Sequence, residues 1–175
     1  MHIMIDLETW GTKAGSALRS LGAVVFHPER GELGEEFYFN ISDASCEALG
    51  LVRDPSTVKW WSEQSSAAQE ALLADPQPLG DVLITFNKWW HDVKGQQVWG
   101  HGANFDPVLL ESAYDAACLS APWKFWDVRC CRTILACGDR KPQRHVGVHH
   151  NALDDAKAQA KAVMAAFRLA KFRAA

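Results

Sequence analysis

The chain has 175 residues, 48% of them apolar and 22% charged, with a formal net charge of -3. Those values suit one domain over residues 1–175 with a core of its own, and they exclude a surface coated with positive charge for bulk nucleic-acid binding, though not a local grip on a few phosphates. No apolar run approaches the roughly 20 residues of a membrane span, MHIMIDLETW lacks the pattern of a secretory leader, and five cysteines without paired spacing point to reduced thiols in the cytoplasm.

In chain order, HIMIDLE (2–8) predicts a buried strand ending in acidic residues. ALRSLGAVVF (17–26) predicts a second strand and EEFYFNI (35–41) a third, joined by short turns as an antiparallel meander. Asp54-Pro55-Ser56 then opens a helical region with Ser56 as its cap, and SSAAQEALLA and PLGDVLITFNKWWHDV predict further helices. QQVWGHG (96–102) is a short strand running into a glycine turn, and Pro107 begins a helix that continues through ESAYDAACL. KFWDV (124–128) predicts the last strand, CCRTILACG a helix, Asp139 to Val148 a basic loop, and Asn151 to Arg173 the closing helix. Three strands followed by strands alternating with helices predict an α/β fold, a mixed five-stranded sheet flanked by helices.

Three places along this order carry acidic residues that could act together. Asp6 and Glu8 are two apart on a strand, so both carboxylates leave the same face. Two like charges side by side are costly unless a cation lies between them. Asp106 follows a strand and a glycine turn, where Gly100 and Gly102 allow close backbone approach and Phe105 anchors the turn. Asp155 lies in the first turn of the last helix, with Asn151 as its cap and His150 just before it. Taken singly, each also reads as a polar strand end or a helix cap.

As an ordered set, DLET, then NFD, then HNALDDA, the sequence resembles the DEDDh 3'-5' exonucleases, the DnaQ-like branch of the RNase H-like superfamily. The match rests on Asp6, Glu8, Asp106, His150 and Asp155 and spans essentially the whole chain. His101-Gly102-Ala103-Asn104-Phe105-Asp106 departs from the H-N-A-x-F-D of proofreading members by a glycine in place of asparagine. With Trp60-Trp61 and Arg129 to Thr133, this looks like a compact sub-branch holding phage exonuclease A-type proteins and a mycobacterial exoribonuclease-like domain. Pro107 stands where that branch often has asparagine.

The resemblance implies an RNase H-like fold and a metal-dependent 3'-5' exonuclease acting on 3' ends of single-stranded DNA or RNA or on 3' overhangs. Oxygen ligands suit two Mg²⁺ or Mn²⁺ ions. It implies that Asp6 bridges both, Glu8 and Asp155 complete one, and Asp106 supports the other. His150 would take the proton from the attacking water, an imidazole being well placed for this at neutral pH; His149 is its competitor by adjacency. Thr9 and Trp10 resemble positions that touch the terminal sugar and base. Trp60, Phe105, Arg129, Arg132 and Arg144 are further candidate substrate contacts, Arg144 within the basic loop, while Trp89, Trp90, Trp99 and Trp126 read as core. A homodimer is expected by analogy, and the location is the cytoplasm, or the host's for a phage-encoded chain. Rival readings are an RNase H-like endonuclease, an inactive nucleic-acid-binding module, and a zinc site from Cys137, His145, His149 and His150, whose spacing fits no standard site.

Overall fold

The computed structural model describes residues 1–137 and 150–170. The loop from Asp139 to Val148, with Arg144 and His145, lies outside the described residues, as does His149. Strands β1 (His2–Thr9), β2 (Leu18–His27) and β3 (Glu32–Asn40) form the expected antiparallel meander. β4 (Gln97–Gly100) and β5 (Val128–Cys130) add in parallel on the other side of β1, giving the order β3-β2-β1-β4-β5.

β1 is therefore a central strand buried on both faces, and its alternation assigns each side chain a layer. Ile3, Ile5 and Leu7 enter a core shared with α2 (Pro55–Ser62), α4 (Leu79–Asp92) and α5 (Asp106–Ala116). Met4 enters a second core shared with α6 (Cys131–Cys137) and α7 (Ala152–Ala170). Asp6 and Glu8 continue the Met4 face to the strand's end. All five cysteines are free, and among the described residues no helix is long and apolar enough to cross a membrane.

Several local expectations need correction. A short helix, α1 (Asp43–Ala48), lies between β3 and α2, where none is predicted; α3 (Ser66–Ala71) forms as expected. The cap of α2 is Asp54, not Ser56: its carboxylate accepts the Ser56 N–H at 2.8 Å, and Pro55 occupies the first turn. KFWDV is a strand only from Val128. Lys124 N–H donates to the Asp127 carboxylate at 3.1 Å, closing a 3₁₀ turn over Phe125–Asp127. That turn leaves Phe125 82% and Trp126 61% exposed, so Trp126 is not a core residue. Trp90 and Trp99 are buried as expected, and Trp89 packs half-buried against the first core.

Candidate active site

The two acidic residues of β1 meet the third from the far end of the chain. One carboxylate oxygen each from Asp6, Glu8 and Asp155 lie within 4.8 Å of one another. The approach depends on Gly22, which pairs with Asp6 across the sheet. A Cβ at that position would stand 2.3 Å from Ala152 C and Leu153 N, so only a glycine lets the first turn of α7 rest directly on the strands. Asn151 caps the helix as expected, accepting from the Leu153 and Asp154 N–H groups at 3.1 Å each. Asp155 then faces the sheet, and Gln159, one turn later, donates from Nε2 to Asp6 Oδ1 at 2.6 Å. The sequence carries a single signal for Gln159, its spacing of four from Asp155, which puts both on one helix face.

Asp106 is 2% exposed and opens α5, but it does not cap the helix. Its Oδ2 accepts the backbone N–H of His101 at 3.0 Å. Gly100 makes this possible, because a Cβ there would meet that oxygen at 3.0 Å and Pro107 Cδ at 2.8 Å. Asp106 stands beside the three-carboxylate cluster, close enough for its charge to act on Asp6.

Burial holds these groups toward their protonated forms. The Asp6 carboxyl is pushed well above the ordinary range by burial, then by the charges of Asp106, Glu8 and Asp155, with the Gln159 hydrogen bond opposing. Burial, then Asp155, pushes Glu8 up to about 8, against the Arg19 guanidinium. Burial raises Asp106 to about 6, opposed by the His101 N–H among others. Clustered anions in so dry a place are stabilised by a cation among them.

Beside the cluster opens a groove of about 470 Å³, with Glu8 at its head and Leu7, Trp60, Trp61 and Phe105 as apolar walls. Thr9, Thr12 and Thr57 complete much of its polar lining. Trp60 is 42% exposed and Trp61 2%, so one of the pair faces solvent and the other is packed. His150 takes a positive φ of 65°, and its ring stands edge-on to Trp60 and Trp61 at 5.0 and 5.7 Å between centroids. The base candidate thus borders the groove whose head is Glu8.

Residues 1–167 match the family model of the 3'-5' exoribonuclease Rv2179c-like domain. The chain belongs to this family. No curated protein matches it. Its fold is that of DEDDh exonucleases. Exonuclease X in complex with 5'-overhanging duplex DNA aligns with a TM-score of 0.62 and 17% identity, over 99% of this chain and 95% of that one. The nuclease domain of 3'hExo, a DEDDh member bound to rAMP, aligns at 0.60 and 14%, over 97% and 92%. E. coli exonuclease I with a dA16 oligonucleotide aligns at 0.61 and 16%, over 94% of this chain but only 40% of its own. The RNase H-like fold and the 3'-5' exonuclease family read from the acidic residues are thereby borne out.

Not every substrate contact expected from this family's resemblance faces the groove. Trp10 is 9% exposed; its Nε1 donates to Asp43 Oδ1 at 2.6 Å and its face carries the Arg19 guanidinium at 4.1 Å, so the ring has no free surface for a base. Thr9 does line the groove, but its hydroxyl donates to Gly11 O at 2.7 Å. Arg129 pairs with Trp99 on β4, donates to the Trp126 and Val128 carbonyls, and acts electrostatically on His2 near the start of β1. It therefore points away from the carboxylates. Arg132 is better placed: its Nε donates to His101 O and its charge reaches Asp106.

Proposed function

We propose that this domain hydrolyses single-stranded nucleic acid from the 3' end, one nucleotide at a time, releasing nucleoside 5'-monophosphates. The observation that carries the reading is that Glu8 belongs both to the carboxylate cluster and to the head of the aromatic groove. A scissile phosphate at the cluster therefore places the terminal nucleoside in the groove. Leu7, Trp60 and Phe105 offer it apolar surface without base-specific donors, which suits an enzyme that must accept every base.

The donor set fits divalent cations. It consists of carboxylate oxygens, as Mg²⁺ and Mn²⁺ prefer, and its clustered charge is what such ions neutralise. Asp6, Glu8 and Asp155 would hold one ion and Asp106, with Asp6, would support a second. When bound, the ions supply charge neutralisation at the phosphate and lower the pKa of water. His150 accepts a proton from the attacking water, and Asn151 fixes the helix start that positions it. Gln159 orients Asp6, and Trp61 closes the floor of the groove.

RNA is the first substrate to test, since the family is that of an exoribonuclease domain and the 3'hExo nuclease domain holds rAMP, while the DNA held by exonuclease X and exonuclease I makes DNA the second. The experiment uses 5'-labelled RNA and DNA of one sequence with Mg²⁺ or Mn²⁺, an EDTA control and a circular single strand. Wild type should give a ladder shortening from the 3' end, lost in Asp6→Ala and His150→Ala, with circles intact. Cutting of the circle would overturn the reading in favour of an endonuclease, and metal binding without cleavage would leave a binding module.

A further inference from the structure

β1 and β2 lose register at the active-site end: Glu8 pairs with Ser20 and Thr9 with Leu18, so Arg19 is the extra residue of a bulge. The residue is 6% exposed. The guanidinium carbon lies 4.1 Å from the ring centroid of Trp10 and 4.3 Å from that of Trp61, a cation held between two indoles. Arg53 covers Trp10 at 5.2 Å and is ion-paired to Asp43 and Glu47. A stack therefore runs from the surface inward, Arg53, Trp10, Arg19, Trp61, and it ends on His150. Both indoles are fixed at their edges as well, Trp10 by Asp43 and Trp61 through Nε1 to Thr9 O at 2.9 Å. Arg19 Nη1, by contrast, is buried without a hydrogen-bond partner. Flat contact with the rings is thus a main part of what holds this side chain.

We propose that Arg19 is a positioning residue for the base: clamped between Trp10 and Trp61, it fixes the Trp61 ring and through it the imidazole of His150 against the tryptophan wall of the groove. Its role depends on the planar face of the guanidinium more than on its charge. The inference rests on the exonuclease reading only for His150's role; the placement itself can be measured without substrate.

The test compares Arg19→Lys, Arg19→Gln and Arg19→Met, each checked for a cooperative melt. Lysine keeps the charge without the plane, glutamine a smaller plane without the charge, and methionine fills volume alone, so a fold lost in one is covered by the others. The ring-proton resonances of His150, identified by their absence in His150→Gln, carry the ring-current shift from Trp60 and Trp61. Lys and Met should move them toward free histidine, with Gln intermediate. In the same order kcat should fall by roughly ten- to a hundredfold, more than KM rises, as for a misplaced base. Retention of the wild-type resonances by Lys, or by all three variants, would overturn the proposal. Should wild type cleave nothing, the functional reading fails by itself, and the resonances still decide whether Arg19 sets the position of His150.

Discussion

The Gln159 amide donates a hydrogen bond to the Asp6 carboxylate at 2.6 Å, tying the last helix to the first strand beside the cluster. Outer partners of this kind orient metal-binding groups, and their loss typically weakens binding ten- to a hundredfold. Gln159→Met should therefore lower Mn²⁺ affinity by at least about tenfold. Its buried Oε1 has no hydrogen-bond partner, so the metal-free fold should lose little. Calorimetric titration with Mn²⁺ checks the first point and thermal melting in EDTA the second; unchanged affinity would remove Gln159 from the site.

Asp6→Asn should have opposite effects on stability and activity. It removes one of several crowded anions while leaving an oxygen to accept from Gln159. In EDTA at about pH 8, Tm should rise by roughly 3 °C, about 1 kcal/mol for a chain of this size, while cleavage is lost. A variant that melts earlier than wild type would show that burial and crowding of this carboxyl do not destabilise the metal-free fold.

Raised carboxyl pKa values also fix how stability varies with pH. The folded chain binds these protons more tightly than the unfolded one, so stability is greatest below the ordinary carboxylate range and is lost as pH rises through the raised values. For Glu8 that window runs from 4.5 to about 8, and Asp6 acts in the same direction. Tm in EDTA should fall by several degrees between about pH 5 and about pH 8, and saturating Mn²⁺ should flatten the curve. A flat curve without metal would contradict the burial assigned to the cluster.

Gly22→Ala adds a single methyl group at a residue that is no candidate ligand itself but pairs with Asp6 across the sheet. Its carbon would sit 2.3 Å from the α7 backbone at Ala152 and Leu153, so the helix start must move. Overpacking of this kind costs about 1–3 kcal/mol, and displacement of Asp155 and His150 should reduce kcat by about a hundredfold. Melting and steady-state cleavage together check this; full activity would mean that α7 can shift without disturbing the site.

The sequence made the sheet and the acidic set legible because both follow strict local patterns. Period-two alternation puts Asp6 and Glu8 on one face, and the Asn151 cap orients Asp155. The misses came where tertiary partners decide. Trp10 follows Glu8 by two residues, but the bulge at Arg19 supplied a cation that covers its face. Trp126 is the exception, since the bond from Lys124 N–H to the Asp127 carboxylate that turns the chain is local and competes with the strand pattern of KFWDV. Gln159 and Gly22 matter only because the last helix packs on the first and second strands, a contact no short window contains.

Joining residues 6 and 8 to residue 155 also has a consequence for synthesis. On a ribosome the chain emerges from its N-terminus, and earlier segments begin to fold before later ones exist. The meander and its first core can form early, but the carboxylate cluster stays incomplete until the closing helix has left the exit tunnel. A nascent chain therefore holds most of the fold without a complete cluster, so the messenger being translated meets an assembled site only after the codons of α7 have been read.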